Sequence, residues 1–393
     1  MPGAGPGHND ELVEFGGGRS AGRRWVPRAL LACLVLAAVV TVAVRGLGHQ
    51  ARPAARSPAA PAPPPPLRVT IVGHPLLGVT ADWELFARGP DDLLRIQLAQ
   101  GRITQTYVPA LETASPDVAF LIGTHEAVIR PSDLVPGYVV PDDGQARPLT
   151  GLLADGGPTV PGPAGSQAAW VASGLPTSPV LSLVTLAGHR SGPNIQFQPG
   201  GPQVPATAVS DGRGDVLVTD GSFDVYDTGP GWDRPVPGTV IAVGSADWLV
   251  DVCDAHYLHC GYEVVDIASG SQRALPGPAP ADLYYSSWPP TGVISPDGST
   301  AAVAENGRNG QLTVHLIDLH TGAVRDLNVP VGEPGSELPL GGADEYSMAW
   351  SPDGRWLFVA ATGGKLVAVD PRTGRGESLG VRLPAVDQVA IRP

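Results

Sequence analysis

The sequence predicts an all-β fold in which one four-stranded unit is repeated along the chain. Two observations lead to this prediction. The 393 residues include 51 Gly and 43 Pro, so turns are frequent and long helices have little room, while 42% of the residues are hydrophobic and can supply a core. In addition, a phrase of short apolar runs and turn residues recurs at intervals of 41 to 52 residues over most of the chain.

The charge of the chain is divided between a basic start and an acidic remainder. Residues 1–66 carry seven Arg against three acidic residues, and the other 18 basic and 35 acidic residues give 67–393 a net charge of −17. A field of this sign repels phosphate backbones, so we expect no nucleic-acid partner. Nearly all basic residues are Arg, with Lys365 the only lysine, which indicates a GC-rich, actinobacterial genome.

Residues 25–47 are predicted to form a transmembrane signal-anchor helix after a short cytoplasmic tail, residues 1–24. Its centre, Ala29–Val44, has sixteen residues without a charge. Flanking apolar residues bring it towards the about 20 that a span needs, if Arg28 reaches the headgroups. A cleaved signal peptide and a buried core helix are the alternatives. The simplest topology is a single-pass protein of the cell membrane, with the C-terminal domain outside the cytoplasm.

A linker rich in Pro and Ala, residues 48–66, follows the apolar segment. Its sequence "ARPAARSPAAPAPPPP" cannot bury enough apolar surface to fold, and Pro keeps the backbone extended. At about 3.1 Å per residue, the linker would hold a domain up to ~50 Å from the membrane.

The repeated phrase is clearest in two copies near the end of the chain, each built around "SPDG" between two apolar runs. In such a turn Pro sets φ, Asp accepts bonds from nearby backbone amides, and Gly takes a positive φ. This role explains the aspartates without catalysis. The predicted turn-forming residues are Asp297, Gly298, Asp353 and Gly354.

Fainter copies appear when the chain is aligned on the glycine of each unit's last turn. An apolar strand precedes each of these glycines, which are Gly101, Gly144, Gly188, Gly229, Gly270, Gly322 and Gly374. Four strands at this period predict a seven-bladed β-propeller with four-stranded antiparallel blades over residues 67–393, because a ring buries each sheet against its neighbours. A pair of β-sandwiches is the alternative.

The segment 385–392 predicts how the ring closes. Its sequence "AVDQVAIR" resembles the first strands of the last two units but starts no unit of its own. We expect it to complete the first blade through Val386, Val389 and Ile391, so that no open edge is left.

The turns "ISPDG" and "WSPDG" and the strand-turn endings "IDLHTG" and "VDPRTG" resemble the TolB-like and WD40-like propeller repeats of bacterial envelope proteins. The resemblance covers Gly292–Leu327 and Met348–Leu379 well and the earlier units by spacing only. The "GH" and "WD" dipeptides of eukaryotic WD40 blades are missing. Members of this family are mostly binding platforms or periplasmic scaffolds, which is the function that the resemblance implies.

Cys253 and Cys260, in "CDAHYLHC", are the only cysteines outside the apolar segment. In an exported domain, two cysteines that flank a turn favour a disulfide, which in so short a loop contributes about 2–3 kcal/mol. His256 and His259 leave open a zinc site with Cys, His, His and Cys ligands, although the spacing matches no familiar zinc module. Free thiols are the third alternative. We predict the disulfide and no metal site.

Aromatic residues in Pro- and Gly-rich connections are the candidate binding residues, because exposed rings in loops can bind sugar or peptide. They are Trp232, Tyr284, Tyr285 and Trp288. The sequence has no nucleophile elbow, phosphate-binding Gly-Lys loop, haem motif or His-Glu-x-x-His pair, so we predict no catalytic residue and no cofactor.

These features favour a non-catalytic, membrane-anchored binding or scaffold propeller that recognises an envelope protein, a peptide or a glycan through its loop faces. The alternative is a propeller-type hydrolase or lyase, which would carry acidic residues at the central channel. A third hypothesis is a ligand-free spacer or a sensor domain whose signalling partner is a separate chain.

Overall fold

The computed structural model describes fourteen ranges of the chain, all within one compact unit, Pro64–Pro393. The described ranges are 67–109, 119–130, 137–155, 159–163, 166–173, 180–196, 207–219, 225–227, 235–236, 238–253, 260–276, 292–306, 311–331 and 347–393. The predicted tail, anchor helix and linker lie outside them. Among the described residues, no helix combines the length and the apolar character needed to cross a bilayer.

Strands make up almost all of the regular structure. The strands of the first half, β1 to β12, are Arg68–Ile71, Glu84–Arg88, Asp92–Gln97, Arg102–Tyr107, Ala119–Ile122, Glu126–Arg130, Tyr138–Pro141, Arg147–Pro148, Thr159–Pro161, Ala168–Ser173, Val180–Thr185 and Arg190–Gln196. A 3-10 turn, Leu76–Gly78, and one short helix, α1 (Leu152–Asp155), are the helical elements of the described ranges.

The second half of the chain continues in the same way. Its strands, β13 to β29, are Thr207–Ser210, Val216–Thr219, Val225–Asp227, Pro235–Val236, Thr239–Val243, Asp247–Cys253, Cys260–Asp266, Gln272–Ala274, Gly292–Ile294, Thr300–Asn306, Leu312–Asp318, Val324–Pro330, Met348–Trp350, Leu357–Ala361, Lys365–Asp370, Arg375–Glu377 and Gln388–Arg392.

Consecutive strands pair antiparallel in groups of four. β5–β8, β9–β12, β13–β16 and β25–β28 form four-stranded sheets in chain order. An eight-stranded sheet consists of the meanders β17–β20 and β21–β24, joined where β17 and β21 pair in parallel at Ala242–Gly292 and Val243–Val293. The all-β prediction is confirmed, and this series of antiparallel meanders is propeller-like.

The first sheet combines strands from distant parts of the chain. Its strand order is β1-β4-β3-β2-β29, and β29 pairs antiparallel with β2 from Glu84–Arg392 to Arg88–Gln388. Val386 and Val389 are buried, and Ile391 is half-buried against the same core. β1 adds a fifth, exposed strand at the opposite edge.

In the meanders whose side chains are described, burial decreases from the second strand to the fourth. The second strands β2 and β26 are buried at every residue, and their apolar side chains point to both faces of the sheet. The fourth strands β8, β20 and β28 are exposed throughout. A strand that is apolar on both faces must have a neighbouring sheet on each side.

The apolar cores lie between neighbouring meanders rather than within one. For example, one core joins β17–β20 to β21–β24, and the next joins β21–β24 to β25–β28. The last meander shares a core with the first sheet, where the rings of Trp83 and Phe358 meet edge to face at 5.8 Å. The first and last meanders are therefore neighbours in space.

Each meander has two different ends. Because its strands alternate in direction, the connections after the first and third strands leave at one end, which we call the turn end. Those after the second and fourth strands leave at the other, the loop end. Most turn-end connections are short, such as 295–299 and 319–323, and the longest within a meander is 228–234. The connection from the added strand β1 to β2, 72–83, lies at the same end and is longer. The loop end carries the longest connections, 275–291 and 331–347.

Candidate functional site

A cluster of ionisable side chains is buried at the loop end, between β17–β20 and β21–β24. Asp251 of β18 and Glu305 of β22 are 5% and 6% exposed. Tyr262, opposite Asp251 on β19, donates its hydroxyl hydrogen to Glu305 Oε1 at 2.5 Å. His315 Nδ1 lies 3.9 Å from Glu305 Oε2, and its Nε2 is 3.1 Å from the Thr313 hydroxyl.

Burial keeps the acids of this cluster from ionising readily. Burial, and then the negative charge of Glu305, raise the pKa of Asp251 to about 6. Burial also raises the pKa of Glu305 above its ordinary value, although the hydrogen bond from Tyr262 and the His315 ring oppose it. The pKa of Tyr262 rises for the same reason, so the phenol keeps its proton and acts as a donor.

The Cys253–Cys260 disulfide borders this cluster. The two cysteines are a directly opposed pair of β18 and β19, and their sulfurs are 1.96 Å apart. Asp251 lies two residues before Cys253, on the same face of β18. Its Oδ2 is 3.8 Å from Cys253 Sγ, and its buried Oδ1 has no hydrogen-bond partner among the described residues. His256 and His259 lie outside the described ranges.

A second ionic cluster lies at the turn end and ties the first sheet to the next. Arg392 of β29 donates to both Asp142 oxygens, at 2.8 and 2.9 Å, to the Gly123 carbonyl oxygen at 3.1 Å, and to Glu84 Oε2. Its guanidinium carbon also lies 4.8 Å from the centre of the Phe86 ring. These contacts fix the end of β29 against β5–β8.

Glu84, at the start of β2, is held in its ionised form by this network. Arg95 donates to Glu84 Oε1 from Nε at 3.0 Å and from Nη2 at 2.6 Å, and Gln97 Nε2 donates to the same oxygen at 2.9 Å. Burial by itself raises the pKa of Glu84, but the hydrogen bonds from Arg95 and Arg392 outweigh it, so the pKa lies below its ordinary value. The cluster is a satisfied ion-pair network, not a reactive acid.

Sequence reasoning missed these clusters, although a signal for them is present. Arg88, Arg130, Asp251 and Glu305 each stand at or near the end of a second strand, after several apolar residues, and all four are at least nine-tenths buried. A charged residue in that context is unusual unless it has a partner. The charges are positive on the first two meanders and negative on β17–β20 and β21–β24.

The predicted turn residues form two matching turns. Asp297 Oδ1 accepts from Ser295 Oγ at 2.6 Å and from the Ser299 amide at 3.0 Å, while Gly298 has φ of +71°. In the equivalent turn Asp353 Oδ1 accepts from Ser351 Oγ and the Arg355 amide, and Gly354 has φ of +65°. The hydrogen bonds account for both aspartates. Trp232, Tyr284, Tyr285 and Trp288 lie outside the described residues.

Comparisons with known proteins give similarity to solved structures only. No protein-family model and no curated protein matches the chain.

The chain is similar to a protein of unknown function from Desulfotomaculum acetoxidans, at 14% identity and a TM-score of 0.48 over 79% of this chain and 99% of that one. It is also similar to TolB from Acinetobacter baumannii, at 14% identity and a TM-score of 0.39 over 76% of this chain and 64% of TolB. A 6-phosphogluconolactonase-like protein from Bacteroides uniformis is similar at 11% identity and a TM-score of 0.47, over 79% of this chain and 100% of that one. No family or activity follows from likenesses at this level.

Replacing Arg392 with glutamine tests the turn-end network. The Arg392→Gln variant removes both hydrogen bonds to Asp142, which keeps only its 3.4 Å ion pair with Arg95, and leaves Glu84 Oε2 without its charged partner. We therefore expect the free energy of unfolding to fall by about 2–3 kcal/mol. Urea denaturation of the full chain, followed by tryptophan fluorescence, measures this change. The control is Arg355→Gln at an exposed position, which should stay within about 0.5 kcal/mol of the unchanged protein. Equal losses in both variants would contradict a specific role for Arg392.

The pH dependence of stability tests the loop-end cluster. Because the pKa of Asp251 is higher in the folded protein, about 6 against 3.8, the folded state holds this proton more tightly and stability rises as the pH falls from 7 to 5. The lowered pKa of Glu84 has the opposite effect on stability, but only below about pH 4.5, the ordinary pKa of a glutamate. We expect the melting temperature to be higher at pH 5 than at pH 7, and Asp251→Asn to reduce that difference. A Glu263→Gln variant, on the neighbouring strand, should retain it.

Proposed function

We propose that the chain is a membrane-anchored, extracytoplasmic β-propeller of seven four-stranded blades that binds an envelope protein, a peptide or a glycan at its loop end. It acts as a binding platform without a catalytic step. The observation that carries this proposal is the difference between the two ends of the meanders.

Three features support the seven-bladed ring. The described strands form seven groups of four when β29, β2, β3 and β4 are taken as one group. Neighbouring groups share apolar cores, including the last and the first. Between β13–β16 and β17–β20 the link is a hydrogen bond: the Trp248 indole donates to the Asp211 carbonyl oxygen at 2.8 Å.

The asymmetry of the ends supports binding at the loop end. Apart from 72–83, the turn end is composed of short connections, several of whose aspartates bond to their own backbone, and of the Arg392 ion-pair network. The loop end has the longest connections, one of which, 275–291, contains Tyr284, Tyr285 and Trp288. Long connections on a rigid scaffold are where proteins usually place binding residues. Trp232 belongs to 228–234, a connection of the turn end.

The distribution of acidic residues supports binding over catalysis. A hydrolase or lyase at the central channel would use carboxylates on or beside the first strand of each blade, which lines the channel of a propeller. The first strands β5, β9, β13, β17, β21, β25 and β29 contain no Asp or Glu. Asp211 and Asp387 directly adjoin the first strands β13 and β29, but Asp211 Oδ1 is taken up by hydrogen bonds from the amides of Arg213, Gly214 and Asp215. The Glu84 and Asp251 clusters lie instead between second and third strands of neighbouring meanders.

Labelling of the single lysine tests the proposed location. Lys365 is exposed at the start of β27, and Met1 would supply the only other amine of the chain. In intact cells, a membrane-impermeant amine reagent should label Lys365, and the Lys365→Arg variant should lose that label. The labelled chain should stay in the membrane fraction after an alkaline wash. Labelling of Lys365 only after lysis would place the domain in the cytoplasm and overturn the proposal.

Removal of the loop-end aromatics tests the proposed binding face. The full chain is tagged, solubilised from its own envelope and captured together with any partner it binds. The triple variant Tyr284→Ala, Tyr285→Ala, Trp288→Ala should retain at least about tenfold less of that partner, because aromatic rings are typical hot spots of binding. The matched control is Trp232→Ala, at the turn end, which should retain the partner fully. Equal retention by the triple variant and the unchanged chain would show that binding lies elsewhere. Retention no greater than that of an unrelated anchored protein would contradict binding altogether.

A further inference from the structure

One face of the β18–β19 hairpin brings together four side chains that belong to two opposed pairs. Asp251 is opposite Tyr262, and Cys253 is opposite Cys260. Tyr262 is engaged with Glu305, so the remaining three residues form a compact group of potential ligands. One ligand atom of each, Asp251, Cys253 and Cys260, lies within 4.8 Å of the other two.

We propose that reduction of the Cys253–Cys260 disulfide creates a binding site for one thiophilic divalent cation, best matched by Zn²⁺. Its ligands are the two cysteine sulfurs and a carboxylate oxygen of Asp251. The fourth position of the ion is left to water. The site is a redox-gated metal site, because the same two sulfurs hold either each other or the ion.

The spacing of the ligand atoms suits tetrahedral zinc. With Zn–S bonds of about 2.3 Å and a Zn–O bond of about 2.0 Å, two ligands of one ion are roughly 3.5 to 3.8 Å apart. Asp251 Oδ2 is already 3.8 Å from Cys253 Sγ. The two thiols of the reduced form must separate to that distance, which rotation about the Cα–Cβ bonds of the two opposed cysteines can supply.

The surroundings of Asp251 favour a cation. The residue is 5% exposed, and its Oδ1 has no hydrogen-bond partner among the described residues. No Lys, Arg or His of the described ranges forms an ion pair with it, and the nearest charge that affects it is the acidic Glu305. A buried carboxylate in this situation gains more from a divalent cation than one already paired with Arg, such as Glu84.

The chemistry balances with a dithiol as reductant. Two electrons and two protons pass from the dithiol to the disulfide, which becomes two cysteine thiols, while the dithiol becomes a disulfide. Zn²⁺ then replaces the two thiol protons, which leave to solvent, and the ion keeps its oxidation state. A disulfide oxidant reverses the sequence and releases the ion. Cys253 and Cys260 are only half-buried, so a reductant can reach them.

Metal titration of the full chain before and after reduction tests the site. The oxidised protein should bind no Zn²⁺ at this hairpin, and the protein reduced with a dithiol, then freed of it under nitrogen, should bind about one equivalent. Co²⁺ in place of Zn²⁺ should give the visible absorption of a tetrahedral ion together with a thiolate charge-transfer band. Asp251→Asn should weaken binding of Zn²⁺ by about tenfold or more and change the Co²⁺ spectrum. The Cys253→Ser, Cys260→Ser double variant should abolish both.

Two controls distinguish this site from other ways to bind zinc. A Glu263→Gln variant, on the same hairpin, should bind as the unchanged protein does. A His256→Ala, His259→Ala variant should also retain the ion, whereas loss in this variant with full binding by Asp251→Asn would overturn the proposal in favour of a Cys and His ligand set. Binding that accompanies loss of the far-ultraviolet β-sheet signal, or equal uptake by oxidised and reduced protein, would also overturn it.

Discussion

The structure depends on one constraint: in the meanders whose side chains are described, the second strands are largely apolar on both faces, so neither face can be left to water. A single sheet of this kind cannot be stable alone, and two sheets packed together would still leave two faces uncovered. Only a series that returns to its start covers every face. The shared core of the first and last meanders, with Trp83 against Phe358, covers one face of each.

The same constraint decides where polar groups can lie. A charged side chain between two sheets loses its water, and must find a partner on its own sheet or on the next one. Arg392 does so by reaching across to Asp142 and the Gly123 carbonyl, and Tyr262 by donating to Glu305 of the following meander. These polar contacts specify which sheets are neighbours, whereas apolar contacts alone would tolerate other pairings.

The sequence predicts the local structure well because the residues that form a turn are neighbours in the chain. In "SPDG", the Ser, Asp and Gly that bond to one another lie within four positions, and the structure has these hydrogen bonds together with a positive φ at Gly298 and Gly354. The all-β class follows from the repetition of such turns. The predicted anchor, linker and loop aromatics fall outside the described residues and remain predictions.

The candidate site was less predictable, because its contacts join residues that the sequence does not relate. Arg392 and Glu84 are 308 positions apart, and Tyr262 and Glu305 are 43 apart. A charged residue at the end of an apolar second strand indicates that its side chain has a partner, but the sequence does not indicate which residue that partner is. The cysteine pair is the exception, since its two members are seven positions apart and flank one hairpin.

The pairing of β29 with β2 also has a consequence for biogenesis. β2 emerges from the ribosome about 300 residues before the strand that covers its inner edge, so the first sheet stays incomplete while the others are made. Closing a loop of that length is entropically unfavourable until the intervening sheets are in place. An arrested or truncated nascent chain therefore presents an uncovered β-edge, a feature that chaperones and proteases can detect.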